Sequence, residues 1–152
     1  MIAIGSDHGG YLLKEAVKRY LDSLKIEYRD FGTTSEASCD YPDYAGYVCK
    51  AITAGDCEKG LLFCGTGVGI SISANKYNGI RAACCSDYFS AKYTRLHNDA
   101  NVLCLGGRVV GDGLACELVD VFLNTPFEGG RHSRRIDKIT EIEASNRRRD
   151  NE

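Results

Sequence analysis

No apolar run in these 152 residues approaches the roughly 20 needed to span a bilayer. The Ile2-Ala3-Ile4 run that follows Met1 is not preceded by a basic segment leading into a longer apolar one, so no secretory signal is expected either. A basic excess is also missing. Lys and Arg number 19 against 21 Asp and Glu, a formal net charge of -2. A nucleic-acid-binding protein would usually show a strongly basic face, so neither nucleic acid nor membrane is an expected partner. A small anion held by a few local arginines is compatible with this charge. Repeats, low-complexity stretches and Pro/Gly-rich linkers are absent, which favours one domain over residues 1–152. The eight cysteines include no C-x-x-C pair and no Cys/His pair at zinc-finger spacing. Most lie in apolar runs, such as Ala82-Ala83-Cys84-Cys85, where they act as small hydrophobes. Without an export signal they are expected to be reduced, in a cytoplasmic protein.

What is present is an alternation of short β-rich runs with helical stretches. Strands are expected over residues 2–5, 26–31, 60–64, 81–85 and 101–105. Helices are expected over 10–24, 44–54, 69–77, 87–96, 112–123 and 133–145. The charged end at Arg147, Arg148, Arg149 and Asp150 is expected to fray. Between residues 68 and 72, Val68, Ile70 and Ile72 alternate with small residues like a strand. A strand there would leave its neighbours without a crossover, so a helix is expected. The result is a three-layer α/β/α sandwich with a Rossmann-like, parallel five-stranded sheet. In such sheets ligands bind beyond the carboxyl ends of the strands, and most of the reactive side chains fall in those loops.

Cys64-Gly65-Thr66-Gly67-Val68-Gly69 carries the sharpest signal. Glycines spaced by two let successive N–H groups converge on one point, and such a nest at a helix start binds negative oxygen. Dipoles of that kind also favour thiolate over thiol, and Cys64 sits at the mouth. The plain alternative is a tight strand-to-helix turn with a buried Cys. A phosphate loop of the form G-x-x-x-x-G-K is absent. A tyrosine-phosphatase loop needs Arg where Ile70 stands. A dinucleotide loop needs its third glycine one position later, although Asp87 lies at a suitable distance for a ribose contact. Asp87 equally suits the N-cap of the next helix.

Other loops offer polar groups. Asp7 and His8 follow the first strand, where Asp7 could cap a helix or accept a sugar hydroxyl. His97, Asn98 and Asp99 end a helix, where His97 could be a favourable end charge or a proton donor. Arg131 and Arg135 lie four apart on one helix face and suit a phosphate. Basic groups at a helix start oppose its dipole, and a bound anion would compensate.

Taken in order, these runs resemble the ribose-5-phosphate isomerase B family, which includes the galactose-6-phosphate isomerase subunits. The matching segments are Gly5 to Gly10, Asp40-Tyr41-Pro42, Cys64 to Ile72 with Ala74-Asn75-Lys76, Gly79 to Ala82, His97 to Asn101, Gly107 to Gly111 and Glu128 to His132. The tail beyond Ile142 matches nothing. The resemblance implies ribose 5-phosphate–ribulose 5-phosphate isomerisation without metal or other cofactor. A 6-phospho-hexose (allose or galactose 6-phosphate) is the alternative substrate, and a nucleotide-binding module or NAD-dependent oxidoreductase the more distant one. It implies a homodimer, or a tetramer, with sites at the subunit interface and the helix over about 133–145 against a partner. Cys64 would be the base, with Gly65, Gly67, Val68 and Gly69 as the anion hole. Thr66 would move protons between the oxygens and His97 would open the ring. Asp7, Tyr41 and Asn98 would hold hydroxyls. His8, Arg131 and Arg135, with Arg108 from a partner subunit, would hold the phosphate. Some members use a Glu aligned with Ile70; this chain resembles the cysteine branch. The chemistry is consistent with that set, because moving a carbonyl between C1 and C2 needs a base, an oxyanion stabiliser and a ring-opening group.

Overall fold

The computed structural model describes residues 1–149. Along the chain it forms β1 (Ile2–Ser6), α1 (Tyr11–Ser23), β2 (Tyr28–Asp30), α2 (Tyr41–Thr53), β3 (Lys59–Cys64) and α3 (Val68–Ala74). It continues with β4 (Ala82–Cys84), α4 (Tyr88–Asn98), β5 (Val102–Gly106), α5 (Asp112–Asn124) and α6 (Arg131–Arg149). The strands pair in parallel in the order β2-β1-β3-β5-β4.

Strand side chains alternate between two apolar layers. On one face Ile2, Ile4, Leu61, Phe63, Leu103 and Leu105 pack with Leu13, Val17 and Leu21 of α1, Ala91 of α4, and Leu118 and Phe122 of α5. On the other, Ala3, Leu62, Cys64, Val102 and Cys104 meet Ala45, Val48 and Cys49 of α2 and Ile70 and Ala74 of α3. Burying a side chain such as Phe63 or Leu118 contributes roughly 1.5–3 kcal/mol. This is the expected three-layer α/β/α sandwich. Gly10 lets α1 start directly on β3, since a Cβ there would fall 2.3 Å from the Phe63 carbonyl carbon.

Several boundaries move for local reasons. α2 begins at Tyr41 rather than 44, because Pro42 is tolerated in a first turn, where an N–H has no partner. β2 is shorter than 26–31 because Ile26 N–H is tied back to Leu21 C=O at 3.0 Å, after Lys25 at φ 56°. The ambiguous run is helical, as α3. α6 starts at Arg131 and runs through Arg149, past the expected end at 145. Residues 147–149, expected to fray, are therefore helical, and Asp150 lies outside the described residues.

One consequence positions the site. β1 and β3 are neighbours, but α1 packs on one face of the sheet and α3 on the other. The two loops diverge and leave a crevice at the carboxyl ends of β1 and β3, the switch point at which open sheets bind ligands.

Candidate active site

A cavity of about 400 Å³ occupies that crevice. Asp7 and His8 reach it from the end of β1, Tyr41 from the start of α2, Cys64, Gly65 and Thr66 from the end of β3, and Arg108 from the loop after β5. Asp7 is buried, and its Oδ1 accepts the Gly10 N–H at 3.1 Å. It thus closes the 7–10 turn, while Gly10 itself is the N-cap of α1. His8 Nδ1 lies 3.2 Å from both the N–H and the C=O of Cys39. The amide donates to Nδ1 in one ring tautomer and Nδ1–H donates to the carbonyl in the other, so in either form the Cys39 backbone holds the ring.

Cys64 is buried at the base of the cavity, and its Sγ accepts the Gly67 N–H at 3.1 Å. Gly67 turns the chain with φ +80°, a conformation that favours glycine. Thr66 Oγ1 accepts the Val68 N–H at 3.2 Å. Two amides of the expected anion hole are therefore already engaged inside the loop. The flanking glycines make room for side chains. A Cβ on Gly69 would fall 2.8 Å from the Tyr41 ring, and one on Gly65 would fall 3.1 Å from the Arg108 guanidinium. Arg108 also donates its own N–H to Gly65 C=O at 3.0 Å. This corrects the expectation that Arg108 arrives from a partner: it lies against the glycine loop of its own chain.

Of the other thiols, those of Cys49, Cys57, Cys85 and Cys104 are buried in the core, while Cys84 is exposed. Burial pushes the Cys49 thiol up to about 12 and the Cys85 thiol up to about 11, and it holds Cys104 well above the ordinary range. Burial and the neighbouring Cys64 raise Cys84. All eight cysteines are unpaired.

His97, Asn98, Arg131 and Arg135 do not join the Cys64 cavity. His97 and Asn98 line a second cavity beyond β4, which shares no residue with the first. The end of α4 that carries them is fixed by two arginines. Arg95 Nη1 donates to Asp99 Oδ1 at 2.8 Å, and Arg81 Nε donates to Asn98 C=O at 2.9 Å. The His97 ring stacks on His132, with centroids 4.1 Å apart. Arg131 opens α6 beside it. Burial, His97 and Arg131 hold His132 below its ordinary range, with Arg135 adding to the effect.

Asp87 caps α4, its carboxylate accepting the Ser90 N–H at 2.7 Å. That engagement removes the support for a dinucleotide site. Sequence reasoning missed Ser38 and Cys39, which line the Cys64 cavity. Cys39 acts through its backbone, which no side-chain pattern reveals. It also assigned no role to His132 and Glu128, although both stand in the Glu128 to His132 segment. Among the described residues, no helix is long and apolar enough to cross a membrane.

The Ribose/Galactose Isomerase family matches residues 2–139. Ribose-5-phosphate isomerase B of Escherichia coli strain K12 is 50% identical over 142 residues, covering 93% of this chain and 95% of that protein. The structure of ribose-5-phosphate isomerase B from Clostridium thermocellum superposes with a TM-score of 0.94 at 51% identity, covering 95% of this chain and 98% of that one. The Mycoplasma genitalium ribose-5-phosphate isomerase B, solved with bound ribulose 5-phosphate, gives a TM-score of 0.88 at 43% identity, covering 94% and 95%.

Proposed function

The chain belongs to the ribose/galactose isomerase family, and from that premise we propose that it interconverts ribose 5-phosphate and ribulose 5-phosphate through an enediolate. Relatives named for ribose 5-phosphate favour the pentose over a 6-phospho-hexose. The observation that carries the reading is the contact between Cys64 Sγ and the Gly67 N–H inside the crevice between β1 and β3. A charged sulfur strengthens that bond.

In the open-chain aldose, the Cys64 thiolate takes the C2 proton and the electrons move onto O1. The sulfur becomes neutral as the oxygen becomes negative. The glycine-loop amides then serve the oxyanion, with the Gly67 and Val68 N–H groups released from their loop partners. One such donor is worth about 2.7–4 kcal/mol of barrier. Thr66 passes a proton from O2 to O1, and Cys64 returns its proton to C1. Asp7 and Tyr41 hold hydroxyls. His8 and Arg108 meet the phosphate. The reaction moves one proton between adjacent carbons, so it needs no electron acceptor and no metal.

His97, Asn98, Arg131 and Arg135 act on the Cys64 cavity of a second copy. Their grouping away from Cys64 on one chain supports a two-fold homodimer, in which each subunit's cluster completes its partner's cavity. α6 suits such an interface, because Ile139 and Ile142 are exposed along it. The partner's His97 would open the furanose ring. The test is a coupled assay on ribose 5-phosphate in EDTA, without added cofactor. Turnover supports the reading, and a requirement for metal or nicotinamide opposes it.

A further inference from the structure

Beside the end of α4 the chain brings two imidazoles and a carboxylate together. His132 Nε2 lies 3.4 Å from Glu128 Oε2, and His97 Nε2 lies 3.7 Å from the same oxygen. One donor atom from each of the three residues falls within 4.8 Å of the others. We infer that His97, Glu128 and His132 form a binding site for one divalent transition-metal ion of the Zn²⁺ or Co²⁺ type.

Three observations carry this. First, the spacing suits the ion: ligands about 2.0–2.1 Å from a tetrahedral centre stand about 3.3 Å apart, close to the 3.4 and 3.7 Å observed. Second, His132 Nε2 is buried with no hydrogen-bond partner, in a side chain only 7% exposed. A buried polar atom without a partner is costly, and a metal would satisfy it. Third, the other two ligands can adapt. Glu128 and the His97 ring are accessible from solvent, so His97 can tilt out of its stack to converge on the ion. Glu128 is tethered by its own N–H, which donates to Leu96 C=O at 3.0 Å. Two imidazoles and one carboxylate leave a position open for water, the composition of an accessible zinc site. Arg131 and Arg135 lie close by and repel a dication, which lowers affinity and makes the site reversible.

A metal on His97 takes the lone pair that ring opening uses, so occupancy inhibits the isomerase. This consequence, unlike the site itself, rests on the proposed role of His97. The experiment is a Co²⁺ titration of the full chain, followed by visible absorption, with activity measured in parallel. One Co²⁺ per chain is expected, with visible d–d bands and no near-ultraviolet thiolate charge transfer. Glu128→Gln and His132→Asn should each weaken binding at least about tenfold, and Glu128→Gln alters an exposed group, so its fold is safe. Cys84→Ser should bind as the wild type does. No Co²⁺ binding, equal binding by both ligand variants, or thiolate charge transfer would overturn the site. Inhibition that tracks occupancy and is reversed by EDTA supports both readings. Binding without inhibition upholds the site and counts against His97 as the ring opener.

Discussion

Gly67 donates its backbone N–H to Cys64 Sγ at 3.1 Å, so the residue that turns the glycine loop also holds the sulfur it surrounds. At φ +80°, a Cβ on Gly67 would meet Cys84 Sγ and the Leu105 carbonyl carbon at 3.0 Å and Gly106 N at 3.1 Å. Gly67→Ala is therefore both strained and crowded, which costs about 1–3 kcal/mol. The loop must shift and the N–H must leave the sulfur. We expect kcat to fall much more than KM rises, with a lower Tm. An unchanged kcat would show that this contact is only structural.

Arg108 tests phosphate recognition. Its guanidinium lies against Gly65 at the cavity wall, and hydrogen bonds to charged groups are worth roughly 1.5–3 kcal/mol. Arg108→Gln should therefore raise KM for ribose 5-phosphate roughly 10- to 150-fold. Ribose itself should be a very poor substrate of the wild type. Equal rates on ribose and its 5-phosphate would oppose the assignment.

A shared site can be tested by mixing two inactive variants. Cys64→Ala and His97→Asn subunits, unfolded together and refolded, should form half heterodimers. In each of these one site is intact, so activity should return to about a quarter of wild type. Persistent inactivity of a mixture shown to contain heterodimers would mean that Cys64 and His97 serve the same chain's site or different reactions.

His97 is also testable by substrate form. His97→Asn should slow turnover of the cyclic pentose phosphate severely. It should affect proton exchange much less on a four-carbon sugar phosphate, which cannot close a furanose ring. Equal losses on both would assign His97 to proton transfer at carbon or to structure.

Asp30 links pH to stability. Burial would raise its carboxyl, but hydrogen bonds from Lys14 and Lys18 and from the Gly32 N–H outweigh this and hold it below the ordinary 3.8. A carboxyl depressed in the folded state adds stability that is fully present above the unfolded value and is lost as pH falls through the folded one. Stability should therefore decline as the pH drops below about 4. Asp30→Asn should flatten that part of the profile. It also leaves Lys14, fully buried, with Glu15 at 3.2 Å as counter-charge. The cost should lie near the low end of the roughly 3–5 kcal/mol for breaking a buried pair, because Asp30 is partly exposed. Urea unfolding across pH measures both effects.

The sheet and its helices were legible because their signals are local. Leu61, Leu62 and Phe63 announce a buried strand, and Cys64 to Gly69 announce a turn into a helix. Asp7, His8, Tyr41 and Thr66 were legible as loop residues beyond strands, and the cavity brings them together. Arg108 was not correctly placed, because its position against Gly65 depends on β5 lying beside β3. His132 was visible only as a histidine in a basic run. Its stacking on His97 requires the end of α4 and the start of α6 to meet, a tertiary contact with no sequence period. Cys39 was missed because its backbone, not its thiol, holds His8.

The central claim is that Cys64 is the base of an aldose–ketose isomerase. The most direct measurement is the coupled ribose 5-phosphate assay in EDTA on wild type and Cys64→Ala, with binding of inorganic phosphate followed in both. A positioned base contributes about 10²–10⁴-fold. The account predicts that Cys64→Ala loses at least that much in kcat while keeping its fold and its affinity for phosphate. A folded Cys64→Ala variant that retained most of its kcat would contradict it.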